Sequence, residues 1–255
     1  MAEADLHLLQ VSDMHLQASP ESLLHGVNVE QRFLQVLEKI RHEQADLLLL
    51  TGDLSHHAPE AYSRLSEYLE QLPFPSIWIP GNHDLSGEMY RFAGCGYGQK
   101  MVDKGRWRLL MLDSTADPDG HGGGALSEPE LEFLRTELEM TDKDQHVLIV
   151  LHHHPVSVNS VWQDRIMLAN APQFWSVVER YPQVKGVVFG HVHQAWQMQR
   201  GQVSLFSVPA TARQFKVGTV ESERESDPRL DRPAYARYCL SSSGQIEQSL
   251  IRVSP

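Results

Sequence analysis

Five short polar segments hold the side chains in this sequence that could carry metal-assisted chemistry. They are Asp13-Met14-His15, Gly52-Asp53, Gly81-Asn82-His83-Asp84, His152-His153-His154 and Gly190-His191-Val192-His193. Imidazole, carboxylate and amide oxygen without thiolate suit Mn, Fe, Zn or Co better than a soft metal. A carboxylate has two oxygens and a full negative charge, so it can bridge two cations. Asp53, in a tight Gly-Asp turn, is assigned that bridge. Asp13 and His15 lie two apart and chelate a first ion, with His193 as its third protein donor. Asn82, through its amide oxygen, completes a second with His152 and His191.

Two ions ~3.5–4 Å apart clamp the attacking and leaving oxygens of an in-line displacement and generate hydroxide near neutral pH. Two divalent ions less two aspartates and one hydroxide leave about +1 at the site, enough to hold a phosphate on an acidic protein. His83 adjoins a ligand without being needed as one. It is placed to protonate the leaving oxygen as general acid, with Asp84 following to orient it or raise its basicity.

Each segment follows a strand-like apolar run, at 6–11, 46–51, 76–80, 146–151 and 184–189. Ligands of open α/β sheets bind beyond the carboxyl ends of the strands. Segments roughly 180 residues apart should therefore meet at one rim. Helical stretches alternate with the strands, as in an α/β layer fold. Asn28 and Gln31 resemble a capping box ahead of Phe33, Leu34, Leu37 and Ile40. Pro59 opens a helix bearing Tyr62, Leu65, Leu69 and Leu72, and Ser127 with Pro129 and Glu130 caps another. A further helix is expected near 172–181. Two hairpins close the chain, one around Gly201 and one around a Ser-Ser-Ser-Gly turn. The charged stretch 221–232 between them reads as a mobile surface loop. The expectation is one domain over 1–255, with an antiparallel hairpin region from about 195.

The formal charge is −11 with no basic run, which gives no support for nucleic-acid or anionic-membrane binding. No apolar stretch approaches the ~20 residues that span a bilayer. Two cysteines, Cys95 and Cys239, form no CxxC and point to a reducing, cytoplasmic setting. Of fourteen histidines, those outside the five segments, such as His7, His42, His56 and His121, read as ordinary surface or core residues.

Taken together, the five segments resemble the signature of calcineurin-like metallophosphoesterases, with no ligand position empty. The resemblance implies a four-layer αββα sandwich of two mixed β-sheets with a dinuclear site at one sheet edge. Within that superfamily the chain looks most like the bacterial class III cyclic AMP phosphodiesterases. The extra similarity lies in Leu23 to Asn28, Leu112-Asp113-Ser114, His152 to Pro155, Trp162-Gln163-Asp164, Pro209-Ala210-Thr211 and Gln214-Phe215. Ala210 and Arg213 depart from that subgroup, which has serine and an apolar residue there.

The subgroup implies hydrolysis of 3′,5′-cyclic AMP to 5′-AMP, with O3′ leaving and two ions, Fe and/or Mn before Zn or Co. Adenine should then lie toward 23–28 and 209–215, with Asn28, Asn82, His83, His153, His193 and Thr211 as substrate contacts. Alignment through Pro155 to Asp164 selects His152 as metal ligand, whereas a His-x-Pro pattern selects His153. The first is preferred, leaving His153 or His154 to touch substrate. Two rivals stand beside this reading: a glycerophosphodiester or other small phosphoester hydrolase, and a non-catalytic scaffold. A scaffold should have lost ligands or the acid, and this sequence keeps them. Oligomeric state is left open.

Overall fold

The computed structural model describes residues 4–95 and 98–254. The first half of the chain runs β1 (Leu6–Val11), α1 (Val29–Ile40), β2 (Leu47–Thr51), α2 (Glu60–Leu69), β3 (Ser76–Ile79) and the short α3 (Ser86–Met89). It continues through β4 (Met101–Lys104), β5 (Trp107–Met111), α4 (Glu128–Met140), β6 (His146–Val150), the short α5 (Val161–Asp164), α6 (Ala171–Val178) and β7 (Val184–Phe189). Two hairpins follow, β8 (Gln197–Arg200) with β9 (Val203–Ser207), and β10 (Ala234–Leu240) with β11 (Ile246–Arg252).

The strands form two mixed sheets, ordered β11-β10-β1-β2-β3 and β4-β5-β6-β7-β9-β8. The period of two along a strand explains the layering. In β1 and β2, Leu6, Leu8, Leu47 and Leu49 face a central core shared with Leu148, Val150, Val188 and Phe206 of the other sheet. Leu9, Val11, Leu48 and Leu50 face the opposite way, against Phe33, Val36 and Leu37 of α1 and Tyr62 and Leu65 of α2. On the second sheet, Val147, Ile149, Val187 and Phe189 pack on Leu131, Leu134 and Leu138 of α4 and Phe174 and Val178 of α6. Strands buried on both faces read as continuous apolar runs, as at Leu47 to Leu50. The order of layers is therefore helix, sheet, sheet, helix.

The caps at Asn28 and Ser127 form as the sequence implies: their side chains accept from the Gln31 and Glu130 amides. Three expectations change. Val36 rather than the exposed Leu34 completes the buried stripe of α1. The hairpins divide between the sheets, β8–β9 at one edge of the second and β10–β11 in the first, where β10 pairs antiparallel with β1. The charged stretch 221–232 is anchored rather than free. Lys216 N donates to Glu223 O and Glu225 N to Gln214 O, and Asp231 pairs with Arg32 at 3.0 Å. The β4–β5 hairpin leaves little mark in the sequence, because β4 is four residues long, alternates exposed and half-buried positions and buries no apolar run. Among the described residues no helix is long and apolar enough to cross a membrane, and Cys239 is a free thiol. The Cys95 side chain lies outside the described residues.

An ion pair with its carboxylate buried and its guanidinium half-buried fixes the chain just after its first metal-type segment. Glu30 at the start of α1 takes Arg64 Nε and Nη2 at 3.0 and 2.9 Å and the Tyr68 hydroxyl at 2.8 Å. The same guanidinium donates to the carbonyls of Gln17 and Ala18. Removing one partner of such a pair strands the other without solvent. Arg64→Ala should therefore lower unfolding stability by about 3–5 kcal/mol, measured by denaturant titration. A loss below about 0.5 kcal/mol, the scatter of ordinary surface changes, would refute the clamp.

Candidate metal centre

The parallel strands β1, β2 and β3 of one sheet and β6 and β7 of the other end at the same rim. The two sheets are joined beneath it. Gln10, fully buried in β1, donates to Thr51 Oγ1 of β2 and to the Phe189 carbonyl of β7, and accepts from the Tyr238 hydroxyl. Just beyond, the Asp13 amide donates to Gly52 O, the Gly190 amide to His152 O, and the His191 amide to the Asp13 carboxylate. The contact is too close for any side chain at Gly190. A Cβ there would stand 2.2 Å from Ser12 Oγ and 2.6 Å from Thr51 O. One at Gly81 would meet the Asp53 amide and carboxylate at 2.3 Å.

Asp13, His15, Asp53, His191 and His193 all adopt left-handed backbone, with φ between 49° and 70°. For non-glycine residues each such conformation costs on the order of 1–3 kcal/mol and persists only where its surroundings impose it. The turns aim these side chains inward instead of continuing the strands.

Donor atoms of Asp13, His15 and His193 lie within 4.8 Å of one another, as do those of Asp53, His152 and His191. Asp53 Oδ2 stands between the groups, 3.6 Å from His15 Nε2 and 3.5 Å from His152 Nε2. Asn82 Oδ1 lies 3.1 Å from the same His152 nitrogen.

The ring nitrogens test whether cations fit. His152 Nδ1 donates to Thr51 O at 2.8 Å, His191 Nε2 to Ile166 O at 3.1 Å, and His193 Nδ1 to Arg213 O at 2.6 Å. Carbonyls only accept, so the opposite nitrogens of the neutral rings turn lone pairs inward. His152 Nε2 thus faces His191 Nδ1 at 3.2 Å, and His193 Nε2 faces His15 Nε2 at 3.3 Å. Between His152 and His191, whose outer nitrogens both donate to carbonyls, lone pairs this close need a positive charge. Electrostatics agree. Burial alone would raise Asp53, yet His152 and His15 hold it well below its ordinary value. Burial also disfavours a charged imidazole, but Asp53 beside it pushes His152 up to about 9. Without metal, a proton takes the place of the missing charge. The residues fit two metal ions.

A family model described as calcineurin-like phosphoesterase matches residues 6–195. The chain belongs to that family. It is 38% identical over 216 residues to a 3′,5′-cyclic-nucleotide phosphodiesterase of Nostoc, covering 83% of this chain and 80% of the relative. It is 34% identical to the 3′,5′-cyclic adenosine monophosphate phosphodiesterase CpdA of Vibrio vulnificus, covering 100% and 92%. The fold is similar to that of a dimetal phosphatase from Danio rerio, with a TM-score of 0.67 at 12% identity, covering 98% of this chain and 99% of that one.

In this calcineurin-like phosphoesterase the two ligand groups open into a cavity of about 670 Å³. His15, Asp53, Asn82, His83, His191 and His193 line it, with Trp162, Ile166 and Phe215 on one wall and Arg213 and Arg224 nearby. The His83 amide donates to Asp53 Oδ1 at 2.8 Å, and its ring Nδ1 lies 3.1 Å from His57 Nε2. Burial lowers the His83 pKa from its ordinary value.

Several sequence-based expectations are corrected here. Asp84 does not orient the His83 ring; His57 does. The Asp84 carboxylate instead accepts from the amides of Leu54, Ser55 and Gly81 and from the Tyr62 hydroxyl. Burial and the nearby Asp53 charge raise it to about 7. It holds two rim loops together. His153 is turned away from the cavity, with its ring between Ser114 Oγ and Gly122 O, and burial lowers it to about 3. His152, not His153, therefore enters the cluster. His154 is also buried and points its Nε2 toward Asp164 at 3.9 Å. His193 lines the cavity, with Nδ1 donating to the Arg213 carbonyl and Nε2 facing Asp13 at 3.3 Å. Asn28 is spent on its cap and on the Pro20 carbonyl. Thr211 is fully buried, so Ala212 and Arg213 form the wall expected of it.

Three further histidines belong to the site. His56 and His121 line the cavity rather than behaving as ordinary histidines, and His57 orients His83. The signal was available for His56 and His57, which follow Gly52-Asp53 by only a few residues at the same strand end.

Proposed function

We propose that the chain is a dinuclear metal phosphodiesterase that hydrolyses 3′,5′-cyclic AMP to 5′-AMP. The observation that carries this is one oxygen of Asp53 standing between two sets of inward-facing lone pairs. On this reading Asp13, His15 and His193 hold one ion, Asn82, His152 and His191 hold the other, and Asp53 bridges them. Fe or Mn suits the donors best, with Zn or Co as alternatives. When bound, the two ions supply Lewis acidity for the phosphate and an activated water. The relatives' named substrates support the cyclic nucleotide. The whole of 1–255 is taken as one catalytic domain, acting in the cytoplasm as its cysteine usage suggests.

The chain's own residues do the rest. His83, oriented by His57 on one side and tied through its amide to Asp53 on the other, donates a proton to O3′ as it leaves. Purine stacks on the wall of Trp162 and Phe215, whose rings meet edge to face at 4.9 Å. The Phe215 ring is also 4.9 Å from His193, so a base placed there leaves its phosphate near the ions. Holding the ring phosphate in line with attack is a large part of the rate.

Chromatography of the reaction of the metal-loaded protein with cyclic AMP tests the reading. The expected sole product is 5′-AMP. Release of 3′-AMP would reverse the leaving group. Cleavage of simple diesters with no turnover of cyclic AMP would favour the glycerophosphodiester alternative.

A further inference from the structure

The cavity rim carries a second histidine cluster that the dinuclear centre leaves unused. The rings of His56 and His83 stack at 4.6 Å, His57 and His83 lie at 5.0 Å, and His56 and His57 at 5.3 Å. His83 Nδ1 and His57 Nε2 stand 3.1 Å apart. The donor atoms of His56 and His83, with those of His15, fall within 4.8 Å of one another. Two imidazole nitrogens on one tetrahedral ion at ~2.0–2.1 Å are separated by about 3.3 Å. The His57–His83 contact is already close to that edge.

We propose that His56, His57 and His83 form a third, inhibitory metal site for an imidazole-seeking cation such as Zn²⁺, Cu²⁺ or Ni²⁺, with water as the fourth ligand. His15 stays with the dinuclear centre. Its Nε2 faces His193 and its Nδ1 faces His56 Nδ1 at 3.3 Å. To bind, His56 gives up that contact and turns its ring, which the open cavity allows. His83 and His57 share one hydrogen in their contact. That hydrogen moves to the other nitrogen of its ring, so binding neutral rings releases no proton. A cation on His83 Nδ1 occupies the nitrogen that the doubly protonated ring needs. The N–H left on its other nitrogen is a far weaker acid than imidazolium, so His83 protonates a leaving oxygen poorly. Imidazole-only coordination also separates this site from its neighbour, whose carboxylates tolerate harder ions.

The site itself is independent of the substrate assignment; only the inhibition rests on His83 as the acid. The test starts from protein reconstituted with two Mn per chain and titrates it with Zn²⁺, counting both metals after rapid desalting. The expected result is one Zn per chain with both Mn retained. Turnover of cyclic AMP should fall about tenfold or more. His57→Asn, which tolerates the left-handed backbone at this position, and His56→Gln should each weaken zinc uptake by about tenfold or more. Inhibition is compared with each variant's own zinc-free rate. Displacement of Mn by Zn without a third equivalent, or unchanged zinc uptake by both variants, would overturn the proposal. If cyclic AMP is not turned over at all, the metal count still decides it.

Discussion

His83→Ala lowers kcat for cyclic AMP by roughly 10²–10⁴ while leaving two metals per chain. The separation of the two effects follows from how the residue is held. Its backbone amide, which the substitution keeps, is the group bonded to Asp53. The ring, which the substitution removes, contacts His57 and belongs to neither ligand group proposed for the ions. O3′ of a ribose is a poor leaving group and needs its proton, whereas p-nitrophenolate does not. Hydrolysis of bis-p-nitrophenyl phosphate should therefore fall much less than that of cyclic AMP. Equal losses on both substrates would mean that His83 positions phosphate instead of protonating the leaving oxygen.

Asp53→Ala should have the largest effect on metal content. One of its oxygens stands between His15 and His152 and the other accepts the His83 amide, so its loss reaches both ions and the acid together. Elemental analysis should show content falling from about two per chain towards zero. Changes in the groups that merely orient ligands cost 10–100-fold in affinity, and removing a shared ligand should exceed that. Asn82→Ala removes one neutral oxygen beside His152 and should loosen only the second ion, leaving about one per chain. Wild-type metal content in Asp53→Ala would show that Asp53 does not bridge.

Much of the centre was legible in the sequence because the residues that form it are local in their chemistry. Each of the five segments follows an apolar run that can only be a buried strand, and parallel strands deliver their carboxyl ends to one side. Residue type then limits the choice. Asp13, His15, Asp53, Asn82, His191 and His193 line the rim or lie directly beneath it. The glycines could be read the same way, since Gly81 and Gly190 sit where two backbones touch.

What the sequence could not decide is where each side chain points once the loops pack. His152, His153 and His154 are consecutive and chemically identical. Only the Thr51 carbonyl, which takes His152 Nδ1–H, and Ser114, which takes the His153 ring, separate them. Asp84 beside His83 suggests a pair, yet four donors, three of them from two other segments, claim its carboxylate. Asn28 and Thr211 lie in loops that do approach the cavity, but a helix cap uses one and burial withdraws the other. The strands, the donor types and their order are fixed by patterns within a few residues. The partner of each donor is fixed by contacts between segments about 30 to 180 residues apart, and only the folded chain brings those together.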